Sequence, residues 1–299
     1  MDGSFKSKKV HVCFAAWIGC YQPIDGKVIP IDGKAVRGSY NKSKRKCEIQ
    51  MVSAFCVESS VVLALRQTSE KSNEITAIAE LLDILDLSGC LVTIDAMGCR
   101  TKIAAKVLEK EADYILAVKG NQGRLHNAFE SRLSLREIQK MNTDELDFYE
   151  TTQVGHGRKE VRQYLLFDPF EEFVDLEFEW PGLKKLGVVI STRGNKSEEH
   201  ANLSIRYYST PAKLKVAEFG DAVRSHWGIK NQLHWMLGAG MNEDACQVYR
   251  DNAAENQSGA RRIALNLLKR ETSKKVSLQR NQKMAAMNPE YMSQVLEGY

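Results

Sequence analysis

Long apolar runs are missing from this chain. The apolar runs present, such as Val61–Leu65, fall far short of the roughly 20 residues that a membrane-spanning helix needs. The opening residues, MDGSFKSKKV, carry lysines but no apolar stretch ahead of a cleavage site, so no secretory leader is expected. CxxC pairs are missing too. The seven cysteines (13, 20, 47, 56, 90, 99 and 246) are odd in number and read as reduced thiols of a cytosolic protein, not as a disulfide or zinc framework. No internal repeat or low-complexity block is visible. A membrane protein, a disulfide-stapled secreted domain and a repeat array are thereby set aside.

What is present suits a globular protein. A chain of 299 residues, 43% hydrophobic and 27% charged, can hold one large or two modest domains around a real core. Its net charge of +4 is unevenly spread. Between Asn256 and Lys283 lie eight basic residues (Arg261, Arg262, Lys269, Arg270, Lys274, Lys275, Arg280, Lys283) and one acid, Glu271, giving that segment +7. Such a run is either a solvated helix face or a segment that tracks nucleic-acid phosphates.

The periodicity predicts a short strand Val28–Asp32 closed by a turn at Gly33–Lys34, then a hairpin with arms Ile49–Val57 and Val61–Arg66. Ile75, Ile78, Leu82 and Leu85 recur at helical spacing. A βαβ unit follows: strand Leu91–Asp95, a helix marked by Ile103, Ala104, Val107 and Leu108, and strand Tyr114–Val118. The order β-β-β-α-β-α-β implies a mixed α/β sheet with flanking helices. Residues 124 to 147 read as amphipathic helix. Short strands then follow at Glu160–Phe167, Leu186–Thr192 and Leu203–Ser209, as a β-rich insertion before further helices near Lys230 and at Ala260–Arg270.

Two aspartates, Asp32 and Asp95, end predicted strands, where ligands of open α/β sheets collect. Either could instead serve a turn or a helix cap. Together they could hold a hard cation such as Mg²⁺, which takes one or two carboxylates plus water and phosphate oxygens. Two such ions about 3.5–4 Å apart drive phosphodiester chemistry, and that arrangement wants a third carboxylate. In "HWGIKNQLHWML", a count of 100° per residue puts Phe219, Val223, Leu233 and Leu237 on one face with Lys230 in its middle. His226 and His234 flank the lysine. An inward lysine demands a negative partner. The two histidines, eight residues apart, are too distant to share a zinc ion. Trp227 and Trp235 read as core residues, not as base-stacking platforms.

The blocks "IPIDGKAVRGS", "EKSNEITAI", "TIDAMGCR", "YILAVKGNQ", "GHGRKEVRQY", "WPGLKKLG", "RYYSTPAK", "RSHWGIKNQLHW", "NEDAC" and "NAAEN…RRIALNLLK" occur in the order seen in one transposase group. From about Val28 onward the chain resembles the bacterial ISAs-type insertion-sequence transposases, also called H-repeat-associated proteins. The resemblance implies an RNase H-like mixed sheet with flanking helices and a β-rich insertion before the last catalytic helix. It also implies a DDE triad and Mg²⁺- or Mn²⁺-dependent cutting and joining of DNA. Asp32 matches the first triad position and Asp95 the second, and both would be metal ligands. The third is the glutamate of the family's "HWGIEN" block; here it is Lys230. Three carboxylates give a site of −3, whereas two carboxylates and an ammonium give −1, so metal binding and catalysis are expected to be weakened or lost. Asp221, Glu243 and Asp244 offer no ready replacement, the last two because Gly238 and Gly240 are expected to break the helix. Gly238 also stands where the family usually has Asp.

The expected organisation is a remnant of an N-terminal accessory region (1–27), the first part of the core (28–123), an insertion (124–215), C-terminal helices completing the core (216–270) and a basic tail (271–299). Double-stranded DNA, as element terminal repeats and target, is the expected partner, with room for a homodimer on DNA and none for a membrane. The location expected is the bacterial cytoplasm, at the nucleoid. Lys34, Lys119, Arg158 and Lys159 lie in family blocks near turns and, with Arg261, Arg262, Lys274 and Lys275, are candidates for phosphate contacts. Beside an impaired transposase stands a non-catalytic DNA-binding remnant. A plain RNase H-like nuclease is disfavoured by the transposase-specific blocks.

Overall fold

The computed structural model describes residues 7–40, 47–68, 74–141, 146–155, 158–195, 202–249 and 252–297. It divides into two units, Met1–Leu87 with His226–Tyr299, and Ser88–Ser225. These units do not follow the expected boundaries. The segment 216–270 belongs to both.

The first unit opens with α1 (Ser7–Tyr21), whose Phe14, Ala15 and Ile18 are buried. The expected accessory remnant is therefore a packed element of this unit. Three antiparallel strands follow: β1 (Val28–Val36), β2 (Ile49–Cys56) and β3 (Val61–Gln67). The hairpin turns through Ser60, which adopts φ 56°. Helix α2 (Glu74–Asp83) buries Ala77, Ile78, Leu81 and Leu82 against β2 and β3.

One strand boundary differs in a way that matters. Asp32 does not end β1. The strand continues through Gly33 and Lys34, pairing Asp32 with Ser53, Gly33 with Val52 and Lys34 with Met51. Asp-Gly-Lys has turn composition, but the glycine serves a close approach. A Cβ there would lie 2.3 Å from the Glu74 carboxylate. Because side chains alternate along a strand, Asp32 and Lys34 share one face of β1.

The second unit holds β4 (Leu91–Ile94), α3 (Thr101–Glu109), β5 (Asp113–Val118), α4 (Gly123–Leu133), α5 (Leu135–Ile138), β6 (Phe148–Gly155), β7 (Arg158–Phe167), α6 (Val174–Glu179), β8 (Lys185–Asn195), β9 (Asn202–Thr210) and α7 (Val216–His226). The helix expected over 124–147 is cut at Ser134, which is extended; residues 142–145 of that span lie outside the described residues. The strands run in the order β4-β5-β9-β8-β7-β6. Only β4–β5 is parallel. The β-rich stretch expected as an insertion extends one mixed sheet, since β9 pairs directly with β5. Helix α7 packs on this sheet through Phe219, which lies edge-on to Tyr164 and Tyr208 and fills the space left by Gly187.

The chain then re-enters the first unit as a π-helical run, Ile229–His234 and Met236–Gly240. Its wide turns show in i→i+5 bonds such as Trp235 N to Lys230 O and Met241 N to Met236 O. Gly238 and Gly240 do not break it. Helices α8 (Ala253–Arg270), α9 (Leu278–Met287) and α10 (Pro289–Glu297) complete the unit. The expected basic tail is instead two helices, with Ala285, Tyr291 and Val295 buried and α10 packed on α8. Among the described residues no helix is long and apolar enough to cross a membrane, and the seven cysteines are free.

Candidate functional site

The π-run decides where Lys230 points. Ile229, Leu233 and Leu237, four residues apart, are fully buried and pack this run onto β1. Lys230 is one residue off that line, so it flanks the apolar face instead of standing in its middle, and its side chain is 38% exposed. The α-helical count erred because wider turns shift each successive side chain around the axis. The lysine nonetheless meets a carboxylate, one of the two candidate aspartates: its Nζ lies 3.5 Å from Asp32 Oδ2, while the ammonium also sits 4.9 Å over the Trp227 ring. Trp227 and Trp235 are not core residues. They lie on the outer side of the run, and Trp235 is 63% exposed.

Asp32 is buried, and His234 Nδ1 approaches the same Oδ2 at 3.7 Å. That histidine is neutral. Burial first, then the cations Arg262, Lys34 and Lys230, push its pKa down to about 3 despite Glu243 nearby. The Lys230 ammonium and a neutral imidazole thus both approach Asp32.

Beside it lies a charge network that the sequence did not disclose. Glu243 and Arg262 are both fully buried, with Arg262 Nη1 2.9 Å from Glu243 Oε1. The same arginine donates to Ser53 Oγ through Nε at 3.1 Å and to the Ser258 carbonyl at 3.1 Å. Ser258 Oγ donates to Glu243 at 2.7 Å. Lys34 reaches Glu243 Oε2 at 3.2 Å and Asp244 Oδ1 at 2.5 Å. Burial alone would raise the Glu243 pKa, but Arg262, the Ser258 hydroxyl and Lys34 together hold it below the usual carboxylate range. Asp244 also occupies the space where a side chain at 238 would begin, since a Cβ on Gly238 would lie 2.7 Å from its Oδ2.

Two expected phosphate contacts are corrected by this network. Lys34 is buried and committed to Glu243 and Asp244, and Arg262 has no exposed surface, so neither is available to an external phosphate. Arg261 is half-buried, its Nε donating to the Met241 carbonyl. Lys274 and Lys275 do face solvent, Lys274 with its ammonium 5.0 Å from the Tyr291 ring centroid.

Asp95 belongs to the second unit, immediately after β4. Its Oδ1 accepts from Met97 N at 3.0 Å, an Asx-type turn, and it does not cap α3, which starts at Thr101. The following loop is pinned by the "KGNQ" block: Asn121 Nδ2 and Gln122 Nε2 donate to the Ala96 carbonyl, and Gln122 also to that of Cys99. These two amides are positioning residues that periodicity does not reveal. Lys119 and Arg158 are exposed, at the end of β5 and the start of β7.

A two-metal centre does not fit this donor set. Asp32 faces an ammonium, which opposes a cation at the same oxygen. Among the described residues no group of three or more His, Cys, Asp and Glu side chains is placed to hold an ion.

Comparison with known proteins bears on these residues. The family model described as "Transposase DDE domain" matches residues 22–267. The chain is 48% identical over 285 residues to "Putative transposase YncI" of Escherichia coli O157:H7, covering 95% of this chain and 72% of that protein. It is 45% identical over 293 residues to "H repeat-associated putative transposase YhhI" of E. coli K12, covering 97% and 77%. A solved piggyBac transposase synaptic complex with hairpin DNA aligns with 99% of this chain and 59% of its own, at 12% identity and TM-score 0.49, a likeness too slight to bear on function.

Proposed function

Because the chain belongs to the DDE-domain transposase family, we propose that it is a DNA-binding transposase whose strand-cleaving site is disabled at its third carboxylate position. In this reading the fold is RNase H-like and the partner is duplex DNA at element ends and target. The family's resident ion is Mg²⁺ or Mn²⁺. Asp32 and Asp95 take the family's two aspartate positions and Lys230 its glutamate. Lys119, Arg158, Arg261, Lys274 and Lys275 remain as phosphate contacts, now without Lys34 and Arg262.

One observation carries the proposal, the 3.5 Å approach of Lys230 Nζ to Asp32 Oδ2. An ammonium there supplies positive charge where the family's site gathers negative charge, so it competes with a cation for the same oxygen. The contact also favours the limiting case of a protein that binds element ends and cuts nothing.

The test is nicking of element-end duplex in Mg²⁺ or Mn²⁺ by the natural chain and by Lys230→Glu. Cleavage should be at background for the first and detectable for the second. Full recovery is not expected, because Gly238 also departs from the family pattern. Cleavage by the lysine form that Asp95→Ala abolishes would refute the reading.

A further inference from the structure

A second basic feature lies in the second unit, outside the segment that carries Lys230 and outside the Asn256–Lys283 run. Strand β8 begins at Lys185 and its antiparallel neighbour β9 ends at Thr210, and these two residues are register partners. Lys184 N donates to the Thr210 carbonyl at 3.3 Å. The chain then passes through Pro211, Lys213 and Lys215 into α7. Strand β7 ends at the same sheet edge, where Phe167 pairs with Leu186, and Asp168 follows it.

Three chain segments therefore meet around one open cavity of about 520 Å³, lined by Lys184, Lys185, Lys213, Lys215 and Asp168. The blocks "WPGLKKLG" and "RYYSTPAK" supply three of the four lysines, and no role had fallen to either.

The charge around this cavity is only partly compensated. Lys185 pairs with Asp168 at 2.7 Å. Among the described residues Lys184, Lys213 and Lys215 have no carboxylate within ion-pair distance, and all three are exposed. The lining thus carries four ammonium groups and one carboxylate. Glu218 on α7 accepts the Lys215 backbone N–H at 2.8 Å and is not part of the lining. Ammonium groups converging on one concavity repel each other unless an anion enters.

We propose that this cavity is a second docking site for the sugar-phosphate backbone of duplex DNA, separate from Lys230 and from the α8–α9 basic run. It rests on the DNA-binding reading above and deepens it. The cavity is several times larger than one phosphate group and is open, which suits a stretch of backbone better than a lone inorganic ion. Its ligands are lysines, which act as point charges without the bidentate geometry that reads a base edge. The site therefore adds affinity and register, not sequence preference.

The experiment uses the full chain and a labelled duplex, with binding followed by fluorescence anisotropy across a salt series. The triple variant Lys184→Ala/Lys213→Ala/Lys215→Ala leaves the Lys185–Asp168 pair intact. Each phosphate neutralised contributes about −0.9 to the log–log salt slope, so this variant should be shallower by about 2 to 3. Replacing the same three by arginine should keep the slope, which separates charge from local packing. In the wild-type chain, duplex should shield the three lysines from acetylation, and inorganic phosphate at matched ionic strength should not.

An unchanged slope in a folded triple variant, beside a wild-type chain that binds duplex, overturns this site and leaves the DNA-binding reading standing. Shielding by inorganic phosphate alone overturns it in favour of a small-anion pocket. A wild-type chain that binds no duplex at low salt fails the broader reading, and this site falls with it.

Discussion

Truncating Arg262 should be among the most damaging single changes available in the first unit. Its guanidinium has no solvent contact and serves Glu243, Ser53 and Ser258 at once. Removing one member of a buried ion pair leaves the other charged in a low-dielectric site, at a cost of about 3–5 kcal/mol. At about 2–4 °C per kcal/mol for a unit of this size, Arg262→Ala should lower the Tm by about 10 °C. Arg262→Met combined with Glu243→Leu removes both charges and should recover much of that loss. The charge left on Lys34 can still turn to Asp244, its 2.5 Å partner. Calorimetry of the single variants and the double variant gives the coupling directly. If Arg262→Ala melts within 2–3 °C of wild type (about 1 kcal/mol or less), the network is not holding β1, the 241–249 segment and α8 together.

Two further outcomes follow from local geometry. His11 is buried in α1 with its pKa down to about 4, chiefly by burial and then by Arg66 and Arg262. The unfolded chain takes up that proton near pH 6.5 and the folded chain does not, so His11 should cost stability progressively as pH falls from about 6.5 to 4, by up to about 1.4 kcal/mol per pH unit. His11→Phe should flatten that part of the Tm–pH curve, and an unaltered curve would place the histidine elsewhere. In the second unit, a Cβ on Gly187 would lie 2.4 Å from the Phe219 ring. Gly187→Ala should therefore cost about 1–3 kcal/mol by overpacking, and Phe219→Leu should relieve part of it in a double-mutant cycle.

Elements with strong local signals were legible in the chain itself. The β2–β3 hairpin, α2 and the β4–α3–β5 unit stand close to where alternation and helical spacing predict them. Asp32 was placed at a strand end because Asp-Gly-Lys has the composition of a turn. Only the approach of Glu74 explains why Gly33 sits inside a strand. Lys230 was matched to a carboxylate, Asp32 or Asp95, although its helix type was misread, since apolar spacing does not distinguish an α-helix from a π-run over three turns. Charge counting failed at Arg262 for a related reason. A run of basic residues on α8 and beyond says nothing about which of them turns inward, and here Arg262 does while Lys274 and Lys275 do not. The Lys34–Glu243–Arg262 network was illegible because it ties β1 and β2 to residues about 210 positions further along the chain, Lys34 to Asp244 and Ser53 to Arg262.

Metal binding at Asp32 should turn on what occupies position 230. Isothermal titration of Mn²⁺ into the natural chain and into Lys230→Glu, in the absence of DNA, tests this most directly. Replacing an ammonium by a carboxylate beside Asp32 changes the local charge by two units. The glutamate variant should bind the ion measurably, and Asp32→Ala in that background should abolish binding. The lysine form should show little or no heat at the same concentrations. Equal Mn²⁺ affinity in the two chains would contradict the claim that Lys230 stands in for the metal.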